Sequence, residues 1–153
     1  MKKRRRGREL CLKILYQWDS QRGDIEAQMK FFWKHNPTPE DVQSFASKLV
    51  MGSYKHLKKI DSILEKFSEH WTLKRISAID RNILRSAIYE LLYENEIPSN
   101  VTINEAIEIS KKYGTEDSSQ FVNGILDRVK RELECDKNKN VKNQNPFAGT
   151  FKN

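Results

Sequence analysis

Residues Ser77–Glu94, with the sequence SAIDRNILRSAIYELLYE, form the stretch that decides the fold. Apolar side chains recur in it at helical spacing, yet they cover more than one stripe of a helix. The residues concerned are Ile79, Ile83, Leu84, Ala87, Ile88, Leu91 and Leu92. Since a helix with this pattern is usually buried on two sides, we expect it to form the centre of a helical core. Ser77 followed by Asp80 has the spacing of a capping box, with Asp in place of the usual Glu, and marks where the helix begins.

Helical periodicity continues on both sides of this central stretch. Further helices are predicted within Glu9–Trp18, between Asp24 and His35, after Thr38, from Ile60 to Trp71, from Thr102 to Tyr113, and from Asp117 to Leu133. A break falls between Gly52 and Asp61, although one long bent helix also fits the pattern. No stretch of four or more residues alternates convincingly as a strand does. The sequence therefore predicts an all-α fold, a compact bundle of about seven helices.

Local signals mark the last two helices. Thr102 and Glu105 have the spacing of a capping box, and Gly114 is placed to stop the helix that begins there. Gly124 lies inside the final helix, where glycine costs about 1 kcal/mol relative to alanine. We therefore expect another helix to approach closely at Gly124.

Positive charge is concentrated at the two ends of the chain. Of the net charge of +7, Lys2–Arg8 contributes +6 and Asp136–Asn153 contributes +3, so the body between them carries −2. We accordingly divide the chain into a basic N-terminal arm (1–8), an all-helical domain (9–135) and a Lys- and Asn-rich tail (136–153) that we expect to be disordered. A polyanion would meet the arm first.

Several classes of function lack support in the sequence. There is no Gly-rich phosphate loop, no plausible serine nucleophile and no His–Glu spacing of a metallohydrolase. Carboxylates such as Glu105 and Glu108 are explained as helix caps and solvated faces. We expect no enzymatic activity, no cofactor and no metal. The sequence contains no run of about 18 apolar residues, so no membrane span is predicted. Two cysteines without a CxxC motif fit a cytoplasmic protein.

The basic arm is typical either of a solubilising or targeting segment or of a nucleic-acid contact. Its cations are Lys2, Lys3, Arg4, Arg5, Arg6 and Arg8. Arginine offers a planar fork of donors to phosphate and stacks on bases. The arm also enters the N-terminus of a helix, where free N–H groups favour anions. Both features favour nucleic acid as the partner.

Tyr16 and Trp18 follow the arm on the first predicted helix. At about 100° per residue they point in directions about 200° apart, so they cannot share one face. Trp18 continues the apolar row of Leu10 and Ile14 and is expected in the core. Tyr16 is the candidate for an exposed stacking surface for single-stranded RNA. The alternative is an amphipathic side chain at the rim of the core.

A second polar cluster surrounds the start of the last helix. Its candidates for a groove beside the arm are Lys111, Lys112, Asp117, Gln120 and Phe121. Simple helix capping explains the same residues, and spacing alone does not choose between the two.

Three stretches together resemble the bacterial transcription antitermination factor NusB family. They are RRRGRELCLKILYQWD, DRNILRSAIYELLYENEIPSNVTINEAIEISKKYG and EDSSQFVNGILDRV. The resemblance runs from about Arg4 to Val129, and the segment FVNGILD is its most specific part. Residues 25–67 resemble the family mainly in their apolar pattern.

The resemblance implies two packed helical subdomains and a non-catalytic role. Members of the family bind the boxA element of ribosomal RNA leader transcripts together with NusE, a small-subunit ribosomal protein, and help an RNA polymerase complex to resist termination. By similarity, the arginines of the arm and Tyr16 would contact RNA, and Asp117 to Phe121 would lie along the same RNA path. Asp80 falls in a region that the family uses toward NusE.

The sequence departs from the family pattern in places. Position 80 is Asp where Glu is common, and Ser86 stands where a larger apolar residue is common. NusB-like domains also occur fused to RNA methyltransferases, but no residues remain here for a second domain of that kind. The alternative functions are a protein-interaction module with solubilising ends and an accessory subunit of an RNA-modifying enzyme.

Overall fold

The computed structural model describes residues 2–69 and 71–139, with side chains described as far as residue 136. Seven α-helices and one short 3₁₀ turn account for the secondary structure of these ranges, which contain no strand. In chain order they are α1 (Lys2–Gln21), α2 (Ile25–His35), α3 (Glu40–Lys55), α4 (Leu57–Phe67), the 3₁₀ turn (Leu73–Arg75), α5 (Ala78–Tyr93), α6 (Ser99–Tyr113) and α7 (Ser118–Lys139). The predicted all-α fold of about seven helices is confirmed.

The helices pack in two groups. Helix α1 lies along α3 and touches α2, while α5 packs against α4, α6 and α7. Contacts of α1 and α3 with α5 join the groups, so α5 is the central helix, as its double-sided apolar pattern predicts. Leu84 and Ile88 on α5 have no exposed surface. Trp18 is buried as expected, and the predicted break between Gly52 and Asp61 lies at His56, between α3 and α4.

A buried arginine ties the end of α1 to α4 and α5. Arg85 donates to both oxygens of Asp61 at 2.8 and 3.0 Å and lies 3.0 Å from an oxygen of Asp19. Its third partner is the side-chain oxygen of Asn82. With about 1% of its surface exposed, Arg85 is a buried cation whose charge is balanced by two carboxylates. This network fixes the direction in which α1 crosses the central helix.

The N-terminal segment is not an arm separate from the helix. Helix α1 begins at Lys2 rather than near Glu9, so the basic residues form its first two turns. Cations at the positive end of a helix dipole are unfavourable, but Lys3 pairs with Asp41 of α3 at 2.8 Å and Arg5 pairs with Glu105 of α6. These contacts with other helices compensate, and no local sequence signal reveals them.

The other end of the chain also differs in part from expectation. Helix α7 continues to Lys139, four residues beyond the predicted domain boundary at Cys135. The remainder of the predicted disordered tail lies outside the described residues. Helix α6 begins at Ser99, not at Thr102, because the carbonyl of Pro98 already accepts from the backbone N–H groups of Val101 and Thr102. The capping box predicted from Thr102 and Glu105 is therefore wrong, and both side chains bond to other helices.

The expected close approach at Gly124 is also wrong. A Cβ atom added at Gly124 would meet nothing within 4 Å, whereas one added at Gly7 would lie 2.7 Å from Cδ2 of Phe45 on α3. Glycine instead permits close packing at the α1–α3 contact and, through Gly52 against the Tyr89 ring, at the contact between α3 and α5. At Gly124 the glycine lies on an exposed part of α7.

Replacing Gly124 with alanine is expected to raise the free energy of unfolding by about 1 kcal/mol, since the helix gains propensity and nothing is displaced. Urea denaturation measures the change. Gly7→Ala is the matched comparison and should lower stability, because the new methyl group overlaps the Phe45 ring. Equal effects from the two substitutions would contradict the difference in packing.

Candidate nucleic-acid interface

One face of α1 carries a row of polar and aromatic side chains. Lys2, Arg6, Glu9, Lys13 and Tyr16 follow each other at spacings of four and three residues, which places them on one side of the helix. The C-terminal half of α6 lies beside this row, as contacts between Glu9 and α6 show. The row is therefore one wall of a surface formed by two helices.

An open cleft of about 340 Å³ lies between α1 and α6, beside the N-terminal turns of α1. It is lined by four cations and two carboxylates: Lys2, Arg5, Arg6, Lys112, Glu9 and Glu105. We call this the α1–α6 cleft. Four of the predicted RNA-contacting residues thus come together, and the formal charge of the lining is positive. Such a cleft offers several N–H donors to the phosphates of a nucleic-acid backbone.

Glu9 lines the cleft with about 5% of its surface exposed. Its Oε1 accepts hydrogen bonds from Oη of Tyr113 at 2.7 Å and from Nζ of Lys112 at 3.0 Å. Burial acts to raise the pKa of Glu9, but these two hydrogen bonds and the charges of Lys112 and Arg6 together hold the pKa below its ordinary value. The carboxylate is therefore ionised at neutral pH and anchors both α6 side chains.

Arg5 lies on the same cleft and binds a second carboxylate. Its guanidinium donates to both oxygens of Glu105, with Nε 3.0 Å from Oε1. The hydrogen bond from Arg5 lowers the pKa of Glu105 despite the burial of that carboxylate. Arg5 remains partly exposed beside this ion pair. Part of its charge is therefore still directed toward solvent.

The structure places Arg8 away from the surface. Only about 5% of Arg8 is exposed, and its guanidinium donates to Glu90 of α5 through two bonds of 2.9 and 2.8 Å. Thr102 donates to the same carboxylate, and Glu105 lies 3.7 Å from the Arg8 guanidinium. Arg8 joins α1 to α5 and α6, and its donors are directed into the protein rather than toward an RNA ligand.

Two further cations of the N-terminal segment face α3 instead of the cleft. Lys3 pairs with Asp41, and the guanidinium of Arg4 lies 5.1 Å from the centre of the Phe45 ring. Both remain exposed.

Lys111 of α6, another predicted contact, pairs with Glu108 on its own helix and does not line the α1–α6 cleft.

Tyr16 continues the row beyond the cleft, one turn past Lys13. About 45% of Tyr16 is exposed, and Nζ of Lys13 lies 5.9 Å from the centre of the Tyr113 ring. Trp18 points the other way into the core, which agrees with the predicted angle between the two side chains. Tyr16 therefore offers an open aromatic surface next to the cations.

A second groove lies where α7 begins, and it holds the remaining candidates. Asp80, Asp117 and Phe121 line it together with Trp71 and Arg75, and its volume is about 190 Å³. About 48% of Trp71 is exposed. Gln120 is exposed and lines an adjoining groove with Trp71 and Phe121. The residue predicted to contact a protein partner thus lies beside residues predicted to contact RNA.

Asp80 has an unusual environment at the start of α5. Its backbone N–H donates to Oγ of Ser77, so the serine half of the predicted cap is confirmed. Its carboxylate atom Oδ1 is buried and has no hydrogen-bond partner among the described residues. A buried acceptor without a donor is costly.

Sequence reasoning missed the carboxylates that organise this surface. Glu90 and Glu105 are buried and bind cations of α1, and Glu9 is buried and binds Lys112 of α6. Glu105 was expected to be a helix cap, and nothing in the sequence links it to Arg5, which lies 100 residues earlier. Trp71 was also missed as a groove residue, since its spacing suggested the apolar row of α4.

Within residues 2–69 and 71–139 no helix is both long enough and apolar enough to cross a membrane. In the same part of the chain no group of three or more His, Cys, Asp or Glu side chains is arranged to hold a metal ion.

Comparisons with known proteins identify the family. A sequence model of the NusB family matches residues 5–131. The transcription antitermination protein NusB of Thermodesulfovibrio yellowstonii is 41% identical over 143 residues, covering 87% of this chain and 95% of the relative. The protein of the same name from Geobacter sulfurreducens is 44% identical over 131 residues, covering 85% and 95%.

Solved structures agree with these relatives. NusB of T. maritima superposes with a TM-score of 0.78 at 43% identity, covering 84% of this chain and 91% of the other. A chain from a complex of antitermination factors NusB and NusE with double-stranded RNA superposes with a TM-score of 0.78 at 29% identity, covering 86% and 98%. The predicted resemblance and the non-catalytic role that it implied are confirmed: this chain belongs to the NusB family of transcription antitermination proteins.

Proposed function

We propose that this antitermination factor binds the boxA RNA of ribosomal RNA leader transcripts together with NusE, in the cytoplasm, and so promotes processive transcription of ribosomal RNA genes. The observation that carries the proposal is the α1–α6 cleft continued by Tyr16. Phosphates bind the cations of the cleft, and a base stacks on the exposed ring. The combined surface suits a single strand of RNA.

The groove at the start of α7 supports a shared site for RNA and a protein partner. Gly114, Thr115 and Glu116 connect Tyr113, which bonds to Glu9 in the cleft, with Asp117 and Ser118 at the groove. One RNA strand that follows Tyr16 can therefore reach Asp117, Gln120 and Phe121. Asp80 and Trp71 line the same groove, which we assign to NusE. A partner that touches both protein and RNA would increase selectivity with few base contacts.

Titration of a short boxA RNA and a scrambled RNA against the protein, with and without NusE, tests this function. We expect boxA to bind more tightly, and the preference to increase when NusE is present. A duplex of the same sequence should bind less tightly than the single strand. Equal affinity for both single strands with and without NusE would leave only general electrostatic attraction. Binding of NusE without any RNA affinity would favour a protein-interaction module.

The double substitution Lys2→Ala with Arg6→Ala is expected to weaken binding of every RNA and to flatten its salt dependence. For a single strand, the magnitude of the slope of log K against log[salt] should fall by about 0.7 for each phosphate that the variant no longer neutralises. Lys30→Ala with Lys34→Ala is the matched control, since it removes two exposed cations from α2. A slope that changes equally in both double variants would show that net charge alone attracts RNA.

A further inference from the structure

Glu9 places a buried negative charge in a cleft whose cations suit a polyanion. A carboxylate and a phosphate are both anionic acceptors, and both bind ammonium and guanidinium donors in the same way. A buried carboxylate at such a site therefore competes with an incoming phosphate for the same donors. Glu105 shares this feature, but it also supports the buried Arg8. Glu9 contacts only groups at the cleft among the ion pairs of the described residues.

The contacts of Glu9 hold side chains from both helices. Lys112 is bound at 3.0 Å and Tyr113 at 2.7 Å, both on α6, and Nη1 of Arg6 lies 3.9 Å away on α1. Lys112 and Arg6 are otherwise largely exposed, with 61% and 54% of their side chains accessible. The carboxylate thus holds two exposed cations near one atom of the cleft lining, Oε1 of Glu9.

We propose that Glu9 is a specificity-determining residue of the α1–α6 cleft, whose carboxylate competes with RNA phosphates for Lys112 and Arg6. The inference rests on the proposed RNA-binding function of the cleft. Without RNA, Glu9 satisfies both cations. When RNA binds, a phosphate displaces the carboxylate from them, while Glu9 keeps its hydrogen bond from Tyr113.

Because of this competition, phosphate contacts alone are insufficient for tight binding of an RNA to the cleft. An unrelated RNA has only its backbone with which to displace Glu9, and backbone contacts are the same for every sequence. An RNA that also stacks a base on Tyr16 has contacts that do not require Glu9 to be displaced, so a smaller part of its affinity depends on the phosphate contacts with Lys112 and Arg6. The carboxylate thereby lowers binding of unrelated RNA more than binding of the cognate sequence.

The variant Glu9→Gln tests the competition, because it keeps the shape and the acceptor oxygen but removes the charge. We expect the affinity for a scrambled RNA to rise about three- to tenfold, as for removal of one charge near a phosphate. The affinity for boxA should rise less, so the ratio of the two affinities falls. The salt slope for the scrambled RNA should steepen by about 0.7 for each additional phosphate that the released cations neutralise.

Glu65→Gln is the matched control, since it removes an exposed carboxylate from α4 and changes the net charge equally. Unchanged affinity for scrambled RNA in a folded Glu9→Gln protein, or an equal rise in both variants, overturns the inference. Failure of the wild-type protein to prefer boxA would instead contradict the proposed function. The two failures are therefore separated by the wild-type measurement.

A second variant tests the geometry without relying on RNA. Tyr113→Phe removes one donor to Glu9 and leaves the ring in place. NMR titration of the Glu9 carboxyl carbon should then show a pKa closer to its ordinary value, since the hydrogen bond from Tyr113 contributes to the lowering. An unchanged pKa would show that Tyr113 does not hold the carboxylate, and would overturn the arrangement on which the competition depends.

Discussion

Replacement of Arg8 with methionine is expected to lower the free energy of unfolding by about 3–5 kcal/mol, the usual cost of breaking a buried ion pair. Glu90 would stay buried, and among the described residues only the Thr102 hydroxyl would still donate to it. Methionine retains most of the aliphatic volume, so the loss reports the missing charge rather than a cavity. Urea denaturation monitored by circular dichroism measures it.

Two comparison variants test whether the loss of stability in Arg8→Met comes from the unpaired charge of Glu90. Arg6→Met changes a largely exposed arginine on the same helix and should alter stability by no more than about 0.5 kcal/mol. Arg8→Met combined with Glu90→Leu removes both charges and should recover most of the loss, because an apolar pair of similar volume can replace a buried ion pair. A loss below about 1 kcal/mol in the single variant, well under the usual cost of leaving a buried charge unpaired, would show that Glu90 finds another partner.

The double variant Arg8→Met with Glu90→Leu also tests how Arg8 affects RNA binding. From sequence alone, Arg8 is grouped with the other cations of the N-terminal segment as an RNA contact. The structure directs its guanidinium at Glu90 of α5. We therefore expect the double variant, once stability is recovered, to bind RNA nearly as the wild type does. Arg8 then serves the site by holding α1 against α5.

Periodicity was enough to predict the helices because each carries its own apolar pattern. The central position of α5 follows from apolar groups on two sides. The predicted start of α2 near Asp24 agrees with the structure, where the Asp24 side chain accepts from the backbone N–H groups of Glu26 and Ala27. Trp18 was placed in the core by its row on α1. These features depend on residues within a few turns of each other.

The pairing of charges could not be predicted in the same way. Arg5 meets Glu105 and Arg8 meets Glu90 across 100 and 82 residues of sequence. In the sequence, Glu105 and Glu90 cannot be distinguished from glutamates on the protein surface. The sequence therefore does not show which cations are paired inside the protein and which are available to a ligand. For the same reason the start of α1 at Lys2 was missed, since its first turn is stabilised by α3 and α6 rather than by a cap. The predicted set of cations therefore includes Arg8, whose guanidinium the structure buries against Glu90.

Replacement of Tyr16 with alanine is expected to weaken boxA binding by about 1–3 kcal/mol, the range for one base stacked on an aromatic ring. This corresponds to a loss of roughly five- to 150-fold in affinity. Since about 45% of Tyr16 is exposed and it lies outside the buried core, the variant should stay folded with nearly unchanged stability. Fluorescence anisotropy with a labelled RNA measures the affinity.

Conservative variants separate stacking from other roles of Tyr16. Tyr16→Phe keeps the ring and should retain nearly all of the affinity, whereas Tyr16→Leu keeps apolar surface without an aromatic face and should lose most of it. Phe31→Ala, which removes an exposed aromatic ring from α2, is the matched control and should leave affinity unchanged. If Tyr16→Leu binds as well as the wild type, the ring supports the edge of the core and the base stacks elsewhere. Phe121, partly buried in the groove at the start of α7, would then be the next aromatic residue to test.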